Sequence, residues 1–122
     1  MSEAVAKFNQ KRWLACVNAV QDEFLLDFVV LSSRSNTKPV TNARAVLLCL
    51  ATAYTTYSRV DLAKRLGMKQ TWTWQRMKEF EKAIRDKEVV SVPRWGPIRA
   101  DTIWEKLRYD VERQINERTV AA

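Results

Sequence analysis

The chain has 122 residues and a mass of 14.2 kDa, enough for one domain that buries its own core without staples. Hydrophobic residues make up 47% of it, with only 2 Gly and 3 Pro, which describes a compact, helix-rich globule and excludes a disordered tail or a fibrous repeat. Histidine is absent, so Ser-His-Asp, Cys-His and His-metal chemistry are excluded, and the net charge of +7 favours an anionic partner.

No repeat, low-complexity tract or Gly/Ser linker interrupts the chain, which reads as a single domain over 1–122 with loops at Ser32–Pro39 and Val92–Pro97. Val5, Phe8, Trp13, Cys16, Val17, Val20, Phe24 and Phe28 recur at steps of three and four and predict an amphipathic helix within 1–34. Its last turns, F-L-L-D-F-V-V-L, are apolar on nearly all sides, as deep burial or a subunit contact requires. Thr41 or Asn42 can cap a second helix with Val46, Leu47, Leu50 and Tyr54 as its stripe, ending at T-T-Y.

A short helix follows, opened by Ser58 and Asp61 at the spacing of a capping box and closed by Gly67. The next helix begins near Gln70 or Thr71 and runs to about Arg85, with Met77, Phe80 and Ile84 on its inner face, closing a core segment over 41–85. The β-branched residues on either side of V-P-R-W-G-P predict a small hairpin over 87–99. Asp101 or Thr102 can cap a last helix over 101–118 with Ile103, Trp104, Leu107, Val111 and Ile115 as its stripe.

Cys16 and Cys49 lie in the apolar stretches W-L-A-C-V and V-L-L-C-L and read as buried thiols of a reducing compartment. The first residues lack a basic-then-apolar signal pattern, and the longest apolar run is far too short for a membrane span. The expected location is therefore cytoplasmic, with no membrane partner.

Charge is concentrated along the chain. From Met1 to Arg34 four basic residues balance four acidic ones, and from Asp86 to Ala122 seven balance seven. Between Ser35 and Arg85 ten basic residues face only Asp61, Glu79 and Glu81, so this segment carries 10 − 3 = +7, the whole net charge. A field concentrated in this way is what a polyanion-binding surface needs, although a solvated basic face has the same composition.

Within that block, S-R-V-D-L-A-K-R-L-G-M-K-Q-T-W-T-W-Q-R-M-K-E-F-E resembles a helix-turn-helix, with Asp61, Leu62, Ala63, Leu66 and Gly67 matching the first helix and Met77, Phe80 and Glu81 the second. Ala63 lets the two helices cross closely and Gly67 permits the tight turn between them. With the preceding helix and the following hairpin, Asn42 to about Arg113 resembles the winged helix-turn-helix of MarR-type regulators. Two features depart from that pattern: Thr73 stands where an aliphatic is usual, and A-I-R-D-K continues where those proteins turn at a Gly. Arg44 to Gly67 also has the spacing of the DNA-binding C-terminal domain of the bacterial replication initiator DnaA, whose base-reading segment is represented here only by M-K-Q-T-W.

The resemblance implies a mainly α fold, a helix-turn-helix with a small β-hairpin wing and flanking N- and C-terminal helices. It also implies a sequence-specific double-stranded DNA-binding protein, a small bacterial or phage regulator of transcription or replication that acts by occupying its site. In such a fold the start of the second helix enters the major groove, which assigns base-edge contacts to Gln70, Thr71, Trp72, Thr73 and Arg76. Lys64 and Lys69 suit phosphates, as do Arg59 and Arg44 at the helix starts and Arg94 and Arg99 on the wing. Trp72 and Trp74 lie about 200° apart on a helix and cannot both face the core, so Trp74 can join Met77 on the core face, leaving Trp72 to meet a thymine methyl or a sugar or to pack against the preceding helix. Trp95 fits either a groove contact or an ordinary packed turn.

The broad apolar stripes of the terminal helices imply, in that family, a homodimer reading a palindromic site. The competing reading is a helical interaction adaptor without DNA binding, its basic centre facing an acidic protein. An enzyme would need carboxylates holding a metal, such as Glu79 with Glu81 or Asp86 with Glu88. Glu79 and Glu81 diverge on a helix and no Gly-rich phosphate loop is present, so no catalytic residue, metal or cofactor is assigned.

Overall fold

A computed structural model describes residues 2–121, with side chains up to Asn116; Met1 and Ala122, the ends of the expected 1–122 domain, lie outside the described residues. Those residues form six helices and one antiparallel hairpin in the order α1 (Glu3–Phe24), α2 (Phe28–Leu31), α3 (Lys38–Tyr54), α4 (Arg59–Leu66), α5 (Gln70–Arg85), β1 (Val89–Val92), β2 (Gly96–Arg99) and α6 (Ala100–Ala121). The fold is thus mainly helical, a helix-turn-helix with a hairpin beside it and a long helix at either end. Among the described residues, no helix is long and apolar enough to cross a membrane.

The first helix is shorter than the 1–34 segment predicted for it. Ser2 caps it by accepting from the Val5 amide, and it stops at Phe24 because Leu25 takes a left-handed conformation at φ 54°. The Leu26 amide then reaches back to the Gln21 carbonyl, and the Gln21 side chain accepts from the Phe28 amide at 2.8 Å, which turns the chain into the separate α2. Periodicity missed this break because the apolar steps run across it unchanged.

The second predicted helix starts earlier than Thr41. Thr37 is the cap residue of α3 and Pro39 sits in the first turn, where its missing N–H costs nothing. From Ala43 to Ala51 every residue of α3 is buried, not only the Val46, Leu47 and Leu50 stripe. This helix is the axle of the fold and touches α1, α2, α4, α5, α6 and β1. The alanines at 43, 45 and 51 let neighbours approach on the sides that the larger residues leave.

The α4 capping box is present in full: Ser58 Oγ accepts from the Asp61 amide, and the Asp61 carboxylate accepts from the Ser58 amide at 3.0 Å. Hydrogen bonding from Ser58 also holds the Asp61 carboxyl below the ordinary range. Gly67 closes the helix at φ 63°, with the Met68 amide bonded to the Ala63 carbonyl at 2.8 Å. Ala63 is buried, and α4 packs against α5.

The end of α5 explains the missing glycine. Lys87 takes the left-handed conformation at φ 54°, and the Glu88 amide bonds back to the Ala83 carbonyl at 2.9 Å, so a lysine does what glycine does elsewhere. The hairpin pairs Val89 with Arg99, Val90 with Ile98, Ser91 with Pro97 and Val92 with Gly96. Val92 is buried, and Asn42 Nδ2 donates to the Ser91 carbonyl at 3.2 Å, fastening β1 to α3.

The last helix begins at Ala100, and Asp101 sits inside its first turn. Ile103, Leu107 and Val111 are buried, with Trp104 and Ile115 packed at their edge. The apolar stripe of α1 from Trp13 to Phe24 and that of α6 pack inside the chain, against α3 and each other, and share one buried cluster with α3 to α5 and Val92, whereas Val5 and Phe8 at the start of the α1 stripe are exposed. Cys16 and Cys49 are free, buried thiols in that cluster, each pushed up to about 12 by burial.

Candidate nucleic-acid interface

Helix α5 turns Thr73, Met77, Phe80 and Ala83 inward, steps of four, three and three, so the residues between them define its outer face. That inward set decides the fate of the tryptophans. Thr73 is fully buried, with its hydroxyl donating to the Lys69 carbonyl at 3.2 Å, a bond that lets a polar residue stand where an aliphatic is usual. Trp72 and Trp74 flank it by about 100° on either side and are both exposed, at 51% and 42%. The expectations that Trp74 packs beside Met77 and that Thr73 meets a base are therefore corrected.

The open face of the first turns carries Gln70, Thr71, Trp72, Trp74 and Gln75, all exposed. Gln75, one turn beyond Thr71, is a residue the sequence reading passed over, although helical spacing alone places it there. Cations surround the face. Lys78 Nζ lies 3.6 Å from the centroid of the Trp74 ring and the Arg59 guanidinium 5.5 Å from it, while Arg76 stands 6.0 Å from Trp72. Arg76 also pairs with Glu79 at 2.8 Å. Lys64 at the end of α4 and Lys69 before α5 are exposed and close no salt bridge among the described residues.

Arg44 does not belong to this surface. It is only 6% exposed; its Nε donates to the Leu31 carbonyl at 2.8 Å and its Nη2 to the Ser33 carbonyl at 2.5 Å. It pins the α2–α3 loop, and burial lowers its pKa. Arg65, equally basic in the sequence, is likewise structural, stacking 4.0 Å from the Tyr57 ring and donating to the Tyr57 hydroxyl at 2.7 Å.

The wing residues are engaged within the chain. Arg99 makes two bonds to the Asp101 carboxylate, at 3.0 and 2.7 Å. These bonds hold the Asp101 carboxyl below its usual range. Arg94 lies 3.6 Å from the buried Glu23 carboxylate, which also accepts from the Trp95 indole N–H. Trp95 stays 44% exposed, with Lys106 Nζ 4.3 Å from its ring centroid.

Between α5 and the hairpin runs a groove of about 450 Å³ lined by residues that include Lys38, Asn42, Arg76, Glu79 and Ser91. A second, of about 790 Å³, lies over the outer face of α5 between Arg59 and the residues from Gln70 to Gln75. Compared with protein families, with curated proteins and with solved structures, the chain matches none.

Proposed function

We propose that the protein binds double-stranded DNA in a sequence-specific manner and acts by occupying its site, as a small regulator of transcription or replication. The observation that carries this reading is the outer face of α5. Its first two turns expose Gln70, Thr71 and Gln75, side chains able to pair with base edges, on a helix braced by the capped and glycine-closed α4. Arg59, Lys64, Lys69 and Lys78 border that face, within the segment that holds the entire net charge. Cations on the border supply salt-dependent affinity for phosphates, and the polar centre supplies discrimination.

The resemblance to winged regulators supports the same reading, with Gln70, Thr71, Trp72 and Arg76 as base-reading residues and Arg59, Lys64 and Lys69 as phosphate contacts. Arg94 and Arg99 can join them only by loosening the ion pairs with Glu23 and Asp101. The test is anisotropy of random duplex DNA across a salt series, with sequencing of the bound fraction. A steep salt slope with an enriched motif supports a regulator, and a palindromic motif marks a two-fold dimer. A steep slope without a motif leaves a non-specific binder, and absence of binding at low salt favours the adaptor reading.

A further inference from the structure

The outer face of α5 carries more aromatic surface than contact with base edges uses. Around the helix axis, at about 100° per residue, the order is Trp74, Thr71, Gln75, Trp72, so the two indoles bracket a strip of short and amide side chains. Over this strip opens the groove of about 790 Å³, completed by Gln70 and by Arg59 from α4. Two indoles half-open to water, one on either flank of the outer face of α5, represent apolar area that a flat partner would cover favourably. The cations near both rings make the surroundings complementary to a polyanion.

Resting on the DNA reading above, we infer that this groove receives one nucleobase turned out of the stack of a DNA duplex. A base offers a π-face that stacks on an indole whatever its identity, and the phosphates flanking it fall by Arg59 and Lys78. An unpaired base also frees its hydrogen-bonding edge for the amides of Gln70 and Gln75. An intact duplex presents only base edges and thymine methyls to the major groove, so it gives the two rings no π-face to stack on. The protein therefore binds best where a base step opens.

The test uses three fluorescently labelled probes: a perfect duplex, the same duplex with one unpaired thymine, and the corresponding single strand. The bulged duplex is expected to bind about tenfold more tightly than the perfect one. Trp72→Ala and Trp74→Ala should each remove that preference, and Trp74→Phe should keep most of it. Both rings are exposed, so the variants keep the helical circular dichroism of the parent. Equal affinity for bulged and perfect duplexes overturns the inference while leaving the DNA reading intact. So does a preference that survives both alanine substitutions, or a single strand bound more tightly than the bulge. Failure to bind any probe at low salt overturns the DNA reading and this inference together.

Discussion

The indole N–H of Trp95, at the tip of the hairpin, donates to the carboxylate of Glu23 in the last turn of α1, 72 positions away in sequence. Glu23 is 5% exposed, and the Arg94 guanidinium lies 3.6 Å from its carboxylate. A buried carboxylate needs such partners, so the tip of the wing and the end of the first helix hold each other in place. Trp95→Phe removes one donor and keeps most of the ring contact. It is expected to cost about 1–3 kcal/mol, read as a lower urea midpoint with an unchanged m-value. An unaltered midpoint would show that the contact is idle.

The same carboxylate has an acidic neighbour. Asp110 on α6 is pushed above the ordinary carboxyl range, first by burial, then by the charge of Glu23 and a hydrogen bond with it; Asp22 adds to the shift and Arg113 opposes it. Because the folded chain holds this proton more tightly than the unfolded chain, the contribution to stability is full below the unfolded pKa. It is lost as pH rises through the raised value. Asp110→Asn should therefore raise the melting temperature at neutral pH and make no difference below about pH 3.9. Parallel curves across that range would refute the assignment.

Burial separates an arginine and a lysine, Arg44 and Lys64, that look alike in the sequence. Arg44→Ala strips the donors from the Leu31 and Ser33 carbonyls and is expected to destabilise the fold by about 1–3 kcal/mol. The salt slope of DNA binding should not change. Lys64→Ala should do the reverse, lowering the slope of log K against log salt by about 0.9 with stability within about 0.5 kcal/mol of the parent. Denaturation and a salt titration on the two variants decide it.

Specificity is assigned to the start of α5. Gln70→Ala and Arg76→Ala are each expected to reduce discrimination between the selected motif and a single-base variant by about 1–3 kcal/mol. Small, uniform losses across all sequences would make both residues phosphate contacts instead.

Lys87 holds a left-handed conformation that costs a lysine about 1–2 kcal/mol and glycine nothing. Glycine gives back part of that through its freer unfolded chain. Lys87→Gly should therefore stabilise the protein by about 0.5–1 kcal/mol, measured as a higher urea midpoint.

The two central helices of the site were legible because local rules govern them: a capping box at Ser58 and Asp61, a glycine at 67, and inward steps at Met77 and Phe80 all lie within a turn or two of one another. What escaped depends on distant contacts. Nothing local separates Arg44 from Arg59, since the carbonyls that claim Arg44 belong to the α2 end and the loop after it. The separation of Trp72 from Trp74 shows only that both cannot face the core, whereas the phase set by Met77 and Phe80 puts Thr73 there, and its hydroxyl finds its own backbone partner. The break at Leu25 was hidden for a similar reason: apolar periodicity continues across it, and the glutamine that caps the next turn lies a full turn upstream. The wing's ties to Glu23 join positions that no pattern of spacing relates.

The two thiols make the native protein silent toward alkylating reagents. Cys16 is fully buried and Cys49 nearly so, at the floor of a groove lined by Met77 and Trp104; burial pushes both up to about 12, and the Cys49 thiol donates to the Met77 carbonyl at 3.7 Å. A maleimide added to the folded chain will find Cys16 only when α1 comes away from its neighbours. The rate of label uptake at Cys16 is then a clock for global opening, and a single cysteine placed at Gln75 can be tagged without removing either native one.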